Sequence, residues 1–323
     1  MLFSLDQLAE AIAVVRTFVP PTPAYSWPLL RRRTGVEVIV KHENHTPTGA
    51  FKVRGGLVYL DAFRRSQGLP AGLVSATRGN HGQSVAVAAA SQGIPAVLVV
   101  PRGNSAEKNA AMEGFGAELI VAGNDYDESR QVADAIAGER GYHLMPAFAP
   151  AIVTGVATYA YELFQAFADL AIVYVPIGMG SGICGLITVR DLLGLDTEIV
   201  GVVAERAPAF ALSFEAGHPV ATDSARTFAD GMACRSPQPE PLEIIKAGAA
   251  RILRLREEEI AEAVRIYHAD THNVAEGAGA AALAGLVREH QRYEGKKAAV
   301  ILTGSNIDAP ALAQILIGHT PVA

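Results

Sequence analysis

Apolar positions recur along this chain in two rhythms. Near the N-terminus, Leu5, Leu8, Ile12 and Val15 fall three or four apart behind Ser4. That spacing predicts an amphipathic helix capped by the serine. Residues 20–28, PPTPAYSWP, read as a stiff connector, and 36–41 as a β-branched strand running into the polar turn ENHTPTG. From Leu73 the patterns alternate. Residues 73–76, 96–100 and 118–122 read as strands, and 82–92, 105–115 and 128–140 as helices. The rhythm resumes with helices at 158–167, 182–193, 257–270 and 276–289, and strands at 171–175, 198–204 and 298–302. Residues 206–242 predict a long excursion of loops and short elements. Continuous apolar strands separated by helices call for an α/β fold with parallel sheets covered on both faces.

Composition narrows the classes. The 323 residues suit about two domains of roughly 150 residues each. Half the residues are hydrophobic, 19% are charged and mean hydropathy is +0.22, which supports a large core and excludes disorder. A net charge of −6 argues against a partner of nucleic acid. Two cysteines, Cys184 and Cys234, exclude a disulfide scaffold and suit a reducing cytoplasm. Asp6 and Glu10 stand where a signal peptide would be positive, and no apolar run reaches the ~18 residues of a membrane span.

Four strand-end segments carry chemistry. PIGMGSGICG follows the strand at 171–175, with bare backbone at Gly178, Gly180, Gly182 and Gly185 ahead of a helix. Such a loop either holds a phosphate at the helix N-terminus or serves as a tight packing turn. Gly180–Gly185 also fits G-x-G-x-x-G, with Glu205 about 20 residues on, which taken alone favours an NAD-dependent oxidoreductase. HTPTGAFKVRGG sets Lys52 before a helix beside Phe51 and Arg54. An aromatic face and a nearby guanidinium could lower its amine pKa and let it serve as a nucleophile; the alternative for a lone lysine is an exposed loop residue. SATRGNHGQS and ILTGSNID place Asn80, His81 and Thr303 at further strand ends, where open α/β sheets bind ligands. His268 and His272 lie four apart but lack the Glu of a zinc motif and read as a solvated helix face. His42 and His45 read as turn residues, and Cys184 and Cys234 as small packing residues, the latter with a possible place in a substrate pocket.

TGAFKVRGG, ATRGNHGQS, the glycine loop and LTGSN, in this order, resemble the fold-type II pyridoxal-phosphate enzymes, the threonine dehydratase and serine racemase group. NDYDESRQVA, TFADGMACR and VAEGAGA resemble it too, so the likeness covers nearly the whole chain. The resemblance implies two open, twisted, mostly parallel sheets in the manner of tryptophan synthase β. The large domain would be 1–69 with 146–323 and the small one 70–145, with pyridoxal 5'-phosphate between them and closure excluding water. It implies that Lys52 carries the cofactor as a Schiff base and removes the substrate α-proton. Gly178, Met179, Gly180, Ser181 and Gly182 would cradle the phosphate. Asn80, Phe51, Glu276 and Thr303 would also hold the cofactor, with Thr303 at the ring nitrogen. Thr77, Arg78, Gly79, Asn80, His81 and Arg130 would meet the substrate.

A hydroxyl rather than a carboxylate at the ring nitrogen makes a weaker electron sink, which favours expulsion of a β-substituent. The implied reaction is α,β-elimination from a β-hydroxy amino acid of the threonine or serine type, giving a 2-oxo acid and ammonia. Departures shade the picture. Arg78 stands where the family's racemases place a serine base, and an arginine stays protonated, so weak or no racemisation is expected. Arg78 and Arg130 raise 3-hydroxyaspartate as an alternative substrate. In GVATYAYE, Val156 and Ala157 would give an apolar wall that admits an aryl group, as in phenylserine. Glu205 is followed by RAPAFA, too few carboxylates for a divalent cation, so no metal is expected. A homodimer without feedback through an added C-terminal module completes the expectation.

Overall fold

Ser4 opens the first helix as its position requires. Its hydroxyl accepts from the Gln7 N–H at 3.2 Å and the Gln7 side chain accepts from the Ser4 N–H at 2.8 Å, a capping box. The structure, a computed structural model, describes residues 2–322. Its helices are α1 (Leu5–Val15), α2 (Pro28–Thr34), α3 (Lys52–Gln67), α4 (Asn80–Ser91), α5 (Ala106–Gly114), α6 (Tyr126–Arg140), α7 (Pro150–Ala166), α8 (Ser181–Leu192), α9 (Ala209–Ala216), α10 (Pro239–Gly248), α11 (Glu257–Thr271), α12 (Gly277–Glu289) and α13 (Ala309–Leu316). Its strands are β1 (Ala24–Ser26), β2 (Glu37–His42), β3 (Leu73–Ala76), β4 (Ala96–Val100), β5 (Glu118–Val121), β6 (His143–Leu144), β7 (Ile172–Pro176), β8 (Glu198–Ala204), β9 (Arg251–Leu255) and β10 (Lys297–Leu302).

The strands form two sheets. Six run in the order β1-β2-β10-β7-β8-β9, all parallel except β1, and four run in the order β5-β4-β3-β6, all parallel. Alternate residues of the six-stranded sheet go to opposite faces. Val173, Val175, Ile199 and Val203 join one core with α7 and α8, while Ile172, Tyr174, Val200 and Val202 join another with α11 and α12. In that sheet β10 lies between β2 and β7, so the loops leaving the carboxyl ends of these three strands are neighbours. In the other sheet β3 lies between β4 and β6, so the chain leaves to both sides of it. Crevices at such switch points are where open α/β sheets bind ligands.

Several elements depart from the periodicity. The proline connector contains β1 and the start of α2, where Pro28 presets the first turn and Gly35 at φ 71° ends it. Helix α7 begins at Pro150, not at 158, because residues 152–160 are buried on every side and show no polar face. Strand β9, RILRL, hides behind two arginines, and it forms an edge that pairs only with β8. The excursion at 206–242 resolves into α9, a 3-10 turn at Asp230–Met232 and the start of α10. His42 is not a turn residue: it ends β2, fully buried, and its Nε2 accepts from the Trp27 indole at 3.1 Å.

Candidate active site

The Lys52 turn is stitched to the end of β10. Gly49, at φ 67°, sits where a Cβ would come 2.7 Å from Asn306 Oδ1, and its carbonyl accepts from the Ser305 N–H at 2.9 Å. The Phe51 N–H donates to the Thr303 carbonyl at 3.1 Å, and Ala50 bridges Gly304. Lys52 is the first residue of α3, and its carbonyl accepts from Ser84 Oγ at 2.7 Å. Its ammonium nitrogen lies 5.0 Å from the centroid of the Phe51 ring.

Burial lowers the Lys52 amine from 10.5 to about 8, against the opposing charge of Glu276. Arg54 is not the cause that the sequence pattern suggested. Its guanidinium points into the core, with Nε 2.7 Å from Glu43 Oε2 and Nη1 2.9 Å from Glu162 Oε1. Because the free base dominates only above the lowered pKa, cofactor-free protein captures an aldehyde at a rate that rises through about pH 8 and not through 10.5. Stopped-flow absorbance across pH checks this.

A polar chain crosses from this turn to the other sheet. Asn306 Nδ2 donates to the Thr48 carbonyl at 2.9 Å and to Asn80 Oδ1 at 2.7 Å, and Asn80 Nδ2 donates to Glu276 Oε1 at 2.6 Å. Lys108, from α5, ends the chain with its ammonium 2.6 Å from Asp230 Oδ2 and 3.4 Å from Glu276 Oε2. Burial raises the Glu276 carboxyl, and the Lys108 charge opposes that rise. The Lys108 stem crosses Gly79, where a Cβ would lie 2.4 Å from its Cδ. Thr77 Oγ1 accepts from the Gly79 and Gly82 N–H groups at 3.0 and 2.9 Å, so its oxygen organises the start of α4. Burial and the Lys52 charge push His81 down to about 3, against a hydrogen bond to the Met145 backbone, so its imidazole is neutral.

The glycine loop closes the third side. Gly180, at φ 97°, hands the chain from β7 into α8, and a Cβ there would come 2.8 Å from Pro241 Cβ. A Cβ at Gly178 would come 2.2 Å from the Gly231 carbonyl oxygen, so the 3-10 turn carrying Asp230 covers this loop. Met179 is half-buried against the core. Phe51 Cε2 lies 4.0 Å from the Cβ position of Gly182, which brings the loop to the Lys52 turn.

Lys52, Phe51, Thr303, Asn80, His81, Glu276 and the glycine loop thus lie together through contacts between strand ends. Arg78 is exposed and has no ion-pair partner among the described residues. Arg130 lies on the exposed face of α6 near Tyr126, with no contact to the Lys52 cluster. Val156 and Ala157 form no wall of the site. Both are fully buried, packed against Gly55 of α3 and Gly185 of α8. Lys108, Asp230 and Asn306 were not assigned from sequence, since one lysine on a short helix reads as surface and the other two sit in loops.

The cluster suits a pyridoxal phosphate. Ser181 Oγ and His81 Nε2 are buried polar atoms without a hydrogen-bond partner, a costly state that a polar group bound among them would relieve. The N-terminus of α8 favours an anion, and Lys52 offers an amine depressed toward its nucleophilic form.

Comparison with known proteins agrees. A family model described as pyridoxal-phosphate dependent enzyme matches residues 15–304. An L-threonine ammonia-lyase of Thermotoga maritima is 31% identical over 98% of this chain and 78% of that protein. An L-threo-3-hydroxyaspartate ammonia-lyase of a Pseudomonas species is 30% identical over 98% of this chain and 99% of that protein. Among solved structures, a maize serine racemase superposes with a TM-score of 0.91 at 25% identity, covering 98% of both chains.

Proposed function

We propose, since this chain belongs to the family of pyridoxal-phosphate-dependent enzymes, that it is an ammonia-lyase acting on a β-hydroxy amino acid of the threonine or serine type. The observation that carries the reading is the buried, depressed Lys52 amine at converging strand ends, with the unsatisfied polar atoms of Ser181 and His81 in the same cluster. When bound, the cofactor supplies an aldehyde for that amine and a ring that withdraws electrons from the substrate α-carbon.

The chain's own residues do the rest. Lys52, a free base above about pH 8, accepts the α-proton at Nζ. Thr303 offers the ring a neutral hydroxyl. Asn80, fixed by Asn306 and Glu276, would offer its amide to the cofactor. Ser181 and the first N–H groups of α8 would hold the phosphate. Thr77, Gly79 and the neutral His81 offer the substrate carboxylate dipoles and not a full charge.

Water exclusion rests on α5, which links the four-stranded part (roughly 70–145) to the rest. Ser105 Oγ bonds Asp308, Glu107 Oε1 accepts from the Ala309 N–H at 2.8 Å, and Lys108 reaches Asp230 and Glu276. These contacts would part when the site opens.

Arg78 favours a second substrate, 3-hydroxyaspartate, because its guanidinium is exposed and unpaired beside Thr77. The β7–α8–β8 crossover would serve a dinucleotide equally well, but that reading leaves Lys52, Asn80 and Glu276 without a task. The reading includes a cytoplasmic homodimer. The two free, buried cysteines support a reducing compartment, and sedimentation checks the dimer. Among the described residues no helix is long and apolar enough to cross a membrane.

The test is a panel of threonine, serine, both 3-hydroxyaspartate diastereomers and phenylserine, assayed for ammonia, 2-oxo acid and racemised substrate. Stoichiometric ammonia and 2-oxo acid from threonine or serine, with racemisation at background, is expected. Racemisation faster than elimination on every substrate would sink the lyase reading.

A further inference from the structure

The two halves of the cofactor site stand on different helices. Lys52 begins α3, and the glycine loop begins α8. Helix α7 lies between them and approaches both closely. A Cβ on Gly155 would come 2.4 Å from the Arg54 carbonyl oxygen of α3, and a Cβ on Gly185 of α8 would come 3.1 Å from Ala157 Cα. Towards α3, α7 is anchored by polar bonds. Thr158 Oγ1 and Glu162 Oε1 each accept from Arg54 Nη1 at 2.9 Å.

Towards α8, the polar link from this stretch is Tyr159. Its hydroxyl donates to the Gly182 carbonyl at 3.1 Å, a group in the first turn of α8 whose second lone pair the phenol can take. The ring is fully buried and meets Phe51 edge-on, with centroids 6.1 Å apart and planes at 84°. The same oxygen lies 3.3 Å from the Cβ position of Gly182. One side chain therefore touches the aromatic neighbour of Lys52 and the backbone of the phosphate loop. Burial raises the phenol well above its ordinary value, so it remains a donor throughout the working pH range.

We propose that Tyr159 is a positioning residue that sets the spacing between the Lys52 turn and the phosphate loop, so that aldehyde and phosphate ends of the cofactor are engaged together. Pre-organisation of this kind contributes affinity without the residue touching the ligand. The proposal requires the family's cofactor and not the lyase reaction.

Tyr159→Phe tests it, because the ring and its packing stay and only the hydroxyl goes. Apo-protein is titrated with pyridoxal phosphate and, separately, with pyridoxal, which lacks the phosphate but can still reach Lys52. Loss of one neutral hydrogen bond predicts about a fivefold rise in the Kd for pyridoxal phosphate. The Kd for pyridoxal should stay within about twofold, and the 31P resonance of the bound phosphate should move. An unchanged Kd for pyridoxal phosphate would overturn the proposal. Equal weakening of both ligands would overturn it too, since that is the mark of a merely structural phenol. If Tyr159→Phe behaves as expected while the native protein releases no ammonia, the lyase reading fails and the role of Tyr159 stands.

Discussion

Replacing Lys52 by alanine removes the visible cofactor band and lowers ammonia release by about 10³-fold or more. Two roles disappear with one amine: covalent attachment and proton transfer at the α-carbon, each worth orders of magnitude. Its surroundings explain why no neighbour substitutes. Lys108 is held protonated between Asp230 and Glu276, against the lowering effect of burial, and His81 is neutral with a pKa pushed down to about 3. Borohydride treatment of the native holoenzyme followed by peptide mapping should label Lys52 alone. Labelling at another lysine, or a Lys52→Ala variant that stays yellow and active, would refute the assignment.

Arg54→Met should cost about 3–5 kcal/mol of folding stability, read from guanidinium denaturation. Arg54 and Glu43 have side chains at 0% exposure, and Glu162 is at 9%. The guanidinium satisfies both carboxylates and Thr158, while Lys41 reaches Glu162 Oε2 at 2.5 Å. Removing the arginine leaves the buried Glu43 with the Thr22 hydroxyl at 2.5 Å and a distant cation, Lys41 at 3.9 Å. The pH dependence follows from Glu162. Burial would raise its pKa, but Arg54 and Lys41 outweigh burial and lower it below 4.5. A carboxyl with a depressed folded pKa adds stability above its unfolded pKa and loses it as pH falls through the folded value. Without Arg54 that depression shrinks, so acid unfolding of the variant should begin at a higher pH than in the native chain. Denaturation curves that superpose would contradict this account of the cluster.

Much of the site was legible in the chain, because strand ends advertise themselves. Asn80, His81, Thr303 and the glycines at 178–182 each stand just after a short apolar run, and Lys52 closes the turn that follows another; in parallel sheets such positions gather at the carboxyl edges. Glu276 came through likeness alone. Lys108 gave no signal: its helix is short, and its role exists only because α5 carries it across Gly79 to two carboxylates, Asp230 of a 3-10 turn and Glu276 at the start of α12. Arg54 illustrates the reverse error. Adjacency in sequence suggested that it tunes Lys52, but two positions along a helix turn the side chain through about 200°. It therefore faces Glu43 and Glu162 instead. The supposed apolar wall of Val156 and Ala157 failed for a similar reason, since both residues face helices and not the cleft.

What this sequence determined by itself is local: which runs become strands and helices, where glycines allow tight turns, and which reactive side chains sit beside those turns. These follow from steric and hydrophobic rules acting over a few residues. What only the tertiary structure decided is who meets whom. The burial that depresses Lys52, the Lys108–Glu276 pair and the Tyr159 bond to Gly182 join residues far apart in the chain. Desolvation and charge pairing depend on distance in space, which no local pattern encodes.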